Sequence, residues 1–396
     1  MSGSLNSIYN TFNFALSRHM AAMARLQEQV STGSQVNRAS DDPTGSYQML
    51  GLASQAALLD NFIENASTAA DYLQISDTVI SSMKQQLTDA INAISQVTSG
   101  TYGDQARERT AEQIDQIIEQ IVQLANAKHN GLYLFAGGSS GTAPYAVERT
   151  DGKIISISYQ GSQQVRSAEV APGIMLEVFS AGDKIFRSDE RGEPQFSGLT
   201  GAKAGEGTSN VCGDVWLTVI NDGSNYKISI DDGLTYTTVP AGGSTNQAVT
   251  DSRTGKVLYV DTTGINATGV ELVRVGGTYD LFNTLIAIRN GLRSSGGLSI
   301  EQLAQFRSSA MSSIDEVSNV LLQSTVRNGS KMNFLETIKN GLTDARYSSE
   351  EGISQIEDAD IAQVAIELSR REVLYQMSLS AAARMMSLSL LDYITE

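Results

Sequence analysis

Between Pro43 and Val97, Leu52, Leu59, Ala66, Leu73, Ile80, Leu87 and Ile94 stand at every seventh position, and Phe62, Met83 and Val97 supply the alternate seam. An apolar heptad repeat sustained over this length is the pattern of an α-helix that buries one stripe against other helices. The chain contains five prolines, and none lies between Pro43 and Gly100. A proline inside the run would remove a backbone donor and clash with the preceding turn, so the run is free to stay helical throughout. At 1.5 Å per residue it would be roughly 80 Å long, far above the usual globular helix. Such a helix needs partners along its length.

Those partners are legible at both ends of the chain. Leu5, Tyr9, Phe12, Leu16, His19, Met23, Leu26 and Val30 recur at alternating spacings of four and three, which predicts an amphipathic first helix ending near Gly33. Ser40-Asp41-Asp42-Pro43 reads as the start of the second helix, with Asp42 accepting from free backbone donors and Pro43 in the first turn. After the break at 100–103, Asp104 is placed to cap a third helix carrying Ile114, Ile117, Ile121 and Leu124 and ending at His129. Helical periodicity returns in Leu281, Phe282, Leu285, Ile286 and Ile288, then in Leu303, Ala310, Ile314, Val317 and Leu321. The last segment, Ile361 to Tyr393, carries a stripe of Leu374, Met377, Ala381, Met385, Leu388 and Leu391.

From Asn130 to about Thr278 the grammar changes to short alternating runs punctuated by Gly, Asp, Asn and Ser, as in strands and hairpins. The clearest expected strands are Ile154 to Tyr159 after an Asp151-Gly152 turn, Val215 to Ile220 with Trp216 in the core, Tyr226 to Ile230, and Leu234 to Val239. Gly201 to Asn210 reads as an exposed loop. The predicted fold class is therefore mainly α with a β-rich insertion. A long helical coiled-coil rod is formed by the N- and C-terminal segments, and a β-rich domain lies outside it.

Composition narrows the functional classes. Lys and Arg total 28 against 44 Asp and Glu, a formal charge of -16, which disfavours nucleic acid and anionic lipid as partners. One cysteine, Cys212, excludes an internal disulfide and any multi-cysteine metal site, and it reads as a small packing residue. No apolar run reaches the length of a bilayer span, so membrane insertion is not expected, and the segment 1–20 lacks the basic start of a signal peptide. His19 and His129 make no metal or triad pattern. Gly137, Gly138 and Gly141 lack the Gly-Lys-Ser/Thr that completes a phosphate loop. Asp222, Asn225, Asp231 and Asp232 lack the spacing of a calcium loop and suit turns equally well. The Arg370-Arg371 pair reads as a charged helix edge. No catalytic, cofactor or metal site is expected.

Helical stripes at both extremes of a chain can be buried only against each other or against neighbouring copies. Leu5, Phe12, Leu16, Met23, Leu26, Val30, Leu374, Met377, Ala381, Met385, Leu388 and Leu391 are accordingly the candidate assembly interface.

Several separated motifs carry a family resemblance. Leu26-Gln27-Glu28-Gln29-Val30-Ser31-Thr32-Gly33, Asn37-Arg38-Ala39-Ser40-Asp41-Asp42-Pro43 and Ile356-Glu357-Asp358-Ala359-Asp360 resemble flagellin. Asn130-Gly131-Leu132-Tyr133-Leu134-Phe135-Ala136-Gly137, Tyr159-Gln160-Gly161-Ser162, Gly182-Asp183-Lys184-Ile185-Phe186 and the ending Leu388 to Ile394 resemble the hook-associated protein three branch of that family. Two departures are Ser162, where that branch has an acidic residue, and residues 197–261, which match no part of it.

The resemblance implies a self-assembling structural subunit of the bacterial flagellum, outside the cell, at the junction of hook and filament. It implies three domains: residues 1–40 with 361–396 for assembly, 41–138 with 279–360 as a helical rod, and 139–278 as the β-rich outer domain. The implied partners are further copies in a junction ring, hook-associated protein one, flagellin, an export chaperone and the type III export apparatus. Flagellin itself, and in another class a secreted coiled-coil adhesin, are the alternative readings.

Overall fold

The computed structural model describes residues 2–96, 104–188, 190–231, 233–294 and 300–394, without the side chains of 2–9, 294, 300–303, 305 and 385–394. Helices occupy both ends of the chain and a β-rich segment separates them, as the sequence pattern requires. The helices are α1 (Ser2–Thr32), α2 (Pro43–Gln96), α3 (Asp104–Ala125), the single turn α4 (Gly182–Ile185), α5 (Leu281–Ser294), α6 (Ile300–Glu357) and α7 (Ile361–Ile394). Contacts divide the chain into two compact units, residues 1–64 with 338–396, and residues 65–337. Helices α2 and α6 contribute to both.

The heptad stripe of α2 is buried from Leu59 to Ile94. Leu59, Ala66, Leu73, Ile80, Leu87 and Ile94 are all buried, and Met83 with them. Leu52 and Phe62 are half-buried, and Val97 lies outside the described residues. In the 65–337 unit Ile114, Ile118 and Ile121 of α3, Leu285 of α5, and Ile314, Val317 and Leu321 of α6 are buried as well. One ion-pair cluster ties α5 to α3. Arg289, 3% exposed, reaches Asp115 at 2.8 Å and donates to the Ile154 carbonyl, and Arg293 reaches the same carboxylate at 2.7 Å.

The third helix stops at Ala125, four residues before His129, because Asn126 pairs with Tyr145 instead. Its Nδ2 donates to the Tyr145 carbonyl and its Oδ1 accepts from the Tyr145 amide, each at 3.0 Å. His129 therefore belongs to a small hairpin of β1 (Lys128–His129) and β2 (Leu132–Tyr133). Asn130 and Gly131 turn it, with φ of 49° and 80°. A second hairpin, β3 (Tyr145–Thr150) and β4 (Lys153–Tyr159), turns at Asp151-Gly152 with φ of 52° and 77°. A third joins β5 (Arg166–Ala171) to β6 (Ile174–Phe179). Below them Phe135, Tyr145, Phe186 and Phe282 form an aromatic cluster with centroids 4.6–6.0 Å apart.

The remaining strands are β7 (Pro194–Ser197), β8 (Lys203–Ala204), β9 (Gly213–Asn221), β10 (Tyr226–Ser229), β11 (Thr237–Thr238), β12 (Gln247–Thr250), β13 (Val257–Asp261) and β14 (Gly269–Val275). They make a five-stranded sheet, β11-β10-β9-β14-β7, and a three-stranded sheet, β12-β13-β8. Leu217, Val219, Ile228, Val249, Leu258, Val260 and Val273 fill their common core.

Three expectations are corrected here. Residues 201–210 are not an exposed loop: Ala202 packs into the core, and β8 pairs with β13 at Val260 and Asp261. Strand 234–239 shrinks to Thr237–Thr238. Asp231 accepts from the amide and hydroxyl of Thr235 at 2.9 and 2.5 Å and draws the preceding residues into a turn. Trp216 is half-buried rather than core, because strand alternation gives the core face of β9 to Leu217 and Val219.

Asp231, 2% exposed, also accepts from the hydroxyls of Ser229 at 2.7 Å and Ser252 at 2.6 Å. Burial opposes its charge, yet the Ser252, Thr235 and Ser229 hydrogen bonds hold its carboxyl well below the ordinary range. An unfolded aspartate titrates near about 3.9, so this stabilisation is complete above that pH and fades as pH falls through and below it. Asp231→Asn should lower unfolding free energy by about 1–3 kcal/mol at neutral pH. Its gap from wild type should close in acid, as read from denaturant melts across pH. Asp115→Ala should cost about 3–5 kcal/mol, since it strands the buried Arg289. Arg149→Ala, which removes a more exposed pair with Glu119, should cost far less than Asp115→Ala in the same melts.

Candidate assembly surface

The three motifs that carry the flagellin resemblance meet in the unit made by the chain ends. Helix α1 ends with the Gly33 amide donating to the Gln29 carbonyl at 2.9 Å, and Gly33 takes φ of 75° to leave the helix. Ser34 then bridges Asp358 in antiparallel fashion, and the Ala359 amide donates to the Gly33 carbonyl at 2.9 Å. Two segments more than 300 residues apart are thus joined through main chain.

The intervening loop is internally braced. Asn37 Nδ2 donates to the Ser34 carbonyl, and the Asp41 carboxylate accepts from the Arg38 amide and pairs with Arg25 at 3.2 Å. Asp42 Oδ1 accepts from the Thr44 amide at 3.0 Å, so α2 starts at Pro43 as its sequence signals. Gly45 lies close to both: a Cβ there would stand 2.5 Å from Asp42 Oδ2 and 2.9 Å from Ile356 Cγ2, so those side chains would have to shift. Asp360 Oδ1 accepts from the Gln363 amide at 3.1 Å and caps α7.

From this bridge α1 and α7 run back together and pack on one another. On α1 the half-buried residues include Phe12, Leu16, His19, Met23 and Leu26, while Val30 is 39% exposed. On α7 the half-buried positions are Val364, Leu368, Arg371, Tyr375, Ser378 and Ala382, spaced four and three. Sequence reading missed this seam, because Arg371 and Ser378 interrupt its apolar character. Leu374, Met377 and Ala381 lie off that seam and are exposed, with Met377 at 64%. The side chains of Leu5, Met385, Leu388 and Leu391 lie outside the described residues. Of the Arg370-Arg371 pair, only Arg370 is exposed.

The other candidate features resolve as structural. Cys212 is half-buried, with Arg191 Nη2 3.5 Å from its sulfur. The backbone at Gly137 faces the Ser162 and Gln164 carbonyl oxygens, the wrong polarity for a phosphate cradle. Asp222 accepts from the amides of Asn225 and Ser224 and pairs with Lys227 at 2.9 Å, which holds its carboxyl below the ordinary range. Asp232 lies outside the described residues. Among the described residues no group of three or more His, Cys, Asp or Glu is placed to hold a metal ion, and no helix is long and apolar enough to cross a membrane.

Comparison with known proteins agrees with this arrangement. Residues 4–140 match the model of the bacterial flagellin N-terminal helical region. Flagellar hook-associated protein 3 of Escherichia coli K12 is 29% identical over 174 residues, 44% of this chain and 53% of that protein. Its Salmonella typhimurium counterpart is 26% identical over 186 residues, 47% and 56% of the respective chains. The chain thus spans about half the length of the curated relatives it matches. The crystal structure of the flagellar junction protein FlgL of Legionella pneumophila superposes with a TM-score of 0.51 at 19% identity, over 78% of this chain and all of that one, a likeness of fold. Residues 4–140 are thus flagellin-like, and the chain is similar to hook-associated protein 3 of two bacteria over about half the length of each.

Proposed function

We propose that this protein is a self-assembling structural subunit of the bacterial flagellum that acts outside the cell as the adaptor between hook and filament. The observation that carries this reading is the poverty of the terminal unit's own core. Among its described residues only Val36, Leu59 and Leu342 are buried apolar side chains. Against these stand exposed Phe14, Met20, Val30, Tyr47, Leu50, Leu58, Tyr347, Ile361, Ile366, Val373, Leu374, Met377 and Leu379. Burying one such side chain contributes about 1.5–3 kcal/mol, while fixing one residue's backbone costs about 1–2 kcal/mol. Helices that leave this much apolar surface in water gain most of their stability when a neighbouring subunit covers it.

Within this reading residues 1–40 with 361–396 serve as the assembly domain, 41–138 with 279–360 as the rod, and 139–278 as the outer domain. Further copies, hook-associated protein one and flagellin cover the assembly surface, and an export chaperone covers the C-terminal helix before delivery by the type III apparatus. The relatives' names, and the junction role printed for the superposed structure, support this choice over filament subunit. No catalytic step enters the proposal.

Limited proteolysis of the purified monomer should cut first within α1 and α7 and leave residues 65–337 intact, because a helix pair without covering partners is marginal. Protection of 10–30 equal to that of the central unit would overturn the proposal. A second test separates assembly from folding. Met377→Asp alters an exposed position and should change monomer stability by no more than about 0.5 kcal/mol. In a strain lacking the native gene it should leave bare hooks and shed flagellin into the medium. Leu368→Asp, on the seam between α1 and α7, should instead lower the monomer's helical signal. Normal filaments bearing Met377→Asp would show that this face is not an interface.

A further inference from the structure

Residues 190–278 leave and rejoin the helical body through two adjacent stretches of backbone. Arg187 and Asp280 form an antiparallel bridge, the Ser188 amide donates to the Tyr279 carbonyl at 3.0 Å, and the Gly192 amide donates to the Gly276 carbonyl at 2.8 Å. Between these ties Gly277 takes φ of 68°, and a Cβ there would stand 1.5 Å from the Glu190 carbonyl oxygen. The neck is a crossing that excludes side chains. Two strands joined this way hold a module on but fix its direction weakly.

Beside the neck lies a polar cluster that the assembly function does not use. Asp214 and Arg274 are directly opposed on β9 and β14, with Nε to Oδ1 at 3.2 Å. Tyr279 donates its hydroxyl to Asp214 Oδ1 at 2.5 Å. From α6, Ser309 and Ser313 donate to Asp214 Oδ2 at 3.1 and 2.7 Å, and Arg274 Nη2 donates to both serine hydroxyls at 3.0 Å and to the Ser309 carbonyl. One turn on, Glu316 Oε1 accepts from the Gly277 amide at 2.6 Å, which ties the neck itself to the same helix face. Trp216 lies over Phe306 with centroids 6.1 Å apart.

Ser309 and Ser313 are 8% and 1% exposed, positions where apolar side chains would pack at less desolvation cost. A buried ion pair contributes little net stability against an apolar replacement, but it admits one geometry. We propose that this cluster is a latch: α6 holds residues 190–278 at a single angle on their neck through Asp214 and Arg274, and releasing the latch lets the module swing without unfolding. The polarity of the cluster suits that role, since water satisfies its hydrogen-bonding groups when it opens, and the Trp216–Phe306 contact is the apolar part that opening exposes.

The test places spin labels at exposed Thr238 on β11 and Gln323 on α6, with Cys212→Ser, in the full chain, and reads the distance distribution. The latched protein should give one narrow distance. Ser309→Ala with Ser313→Ala should broaden it well beyond the spread of the label's own rotamers, with circular dichroism and the β-domain melt unchanged; Arg274→Met should broaden it further, with a lowered β-domain melt because it strands Asp214. An unbroadened distance in the double-serine variant would overturn the proposal and assign the orientation to the neck and the Trp216–Phe306 contact. Should Arg274→Met fail to fold, the serine pair alone decides.

Discussion

Within residues 65–337 everything leans on one uninterrupted stripe. Ala66, Leu73, Ile80, Leu87 and Ile94 are buried at a strict interval of seven, and an unbroken helix keeps them on one face. Helices α3, α5 and α6 bury apolar side chains of their own, and the hairpins of 128–179 attach to this helical body by ring packing of Tyr145 on Phe282 and of Phe179 on Tyr72, and by polar contacts to backbone. Asn65 Nδ2 donates to the Glu169 carbonyl at 3.2 Å, and Lys331 Nζ donates to the Glu177 carbonyl at 2.8 Å. A half-buried lysine is costly, and its burial lowers its proton affinity, so that carbonyl is a needed partner. A proline anywhere in 65–94 would remove the stripe's continuity and with it the surface on which the rest is built.

The terminal unit shows the opposite balance. Its order comes from main-chain geometry more than from apolar burial: Gly33 turns the chain, Ser34 meets Asp358, and Gly45 lets α2 approach Ile356. Hydrogen bonds of this kind contribute about 0.5–1.5 kcal/mol net each. They fix where α1 and α7 start and in which direction they run, but they do not hold long helices together against solvent. The seam between those helices includes Arg371 and Ser378 and leaves the more apolar stripe of Leu374, Met377 and Ala381 facing outward. A helix that turned its best apolar face inward would be a better monomer and a poorer assembly element.

How much of this was legible in the sequence depended on whether the signal was periodic or tertiary. The α2 stripe, the α1 seam, the Asp42-Pro43 start and the Asp151-Gly152 turn were readable because spacing or turn chemistry alone determines them. The failures were tertiary. Nothing local in Asn126 announces that it will leave the helix to pair with Tyr145, and nothing in Asp231 announces that it will gather Ser229, Thr235 and Ser252 and shorten the next strand. Ala202 was hidden by its glycine-rich surroundings, and the α7 seam by one arginine and one serine. The latch residues were invisible for the same reason: Asp214, Arg274, Ser309 and Ser313 are ordinary surface types until the sheet places two of them beside a helix face.

Family likeness and physical reading meet at different strengths along the chain. The matched flagellin region, residues 4–140, contains α1, the Gly33–Pro43 loop, α2 and α3, the parts whose geometry is fixed by heptads and turns. The two sheets that hold residues 194–275 have a closed core of their own, and Leu217, Ile228, Leu258, Val260, Val273 and Val275 are all fully buried. A module with a private core and a two-strand neck can differ between relatives without disturbing the helices it is attached to. In the assembly proposed above the terminal unit has no such independence, because its exposed stripes must match the surfaces that cover them. On that proposal the ends answer to what lies outside the molecule, and the middle mainly to its own closed core.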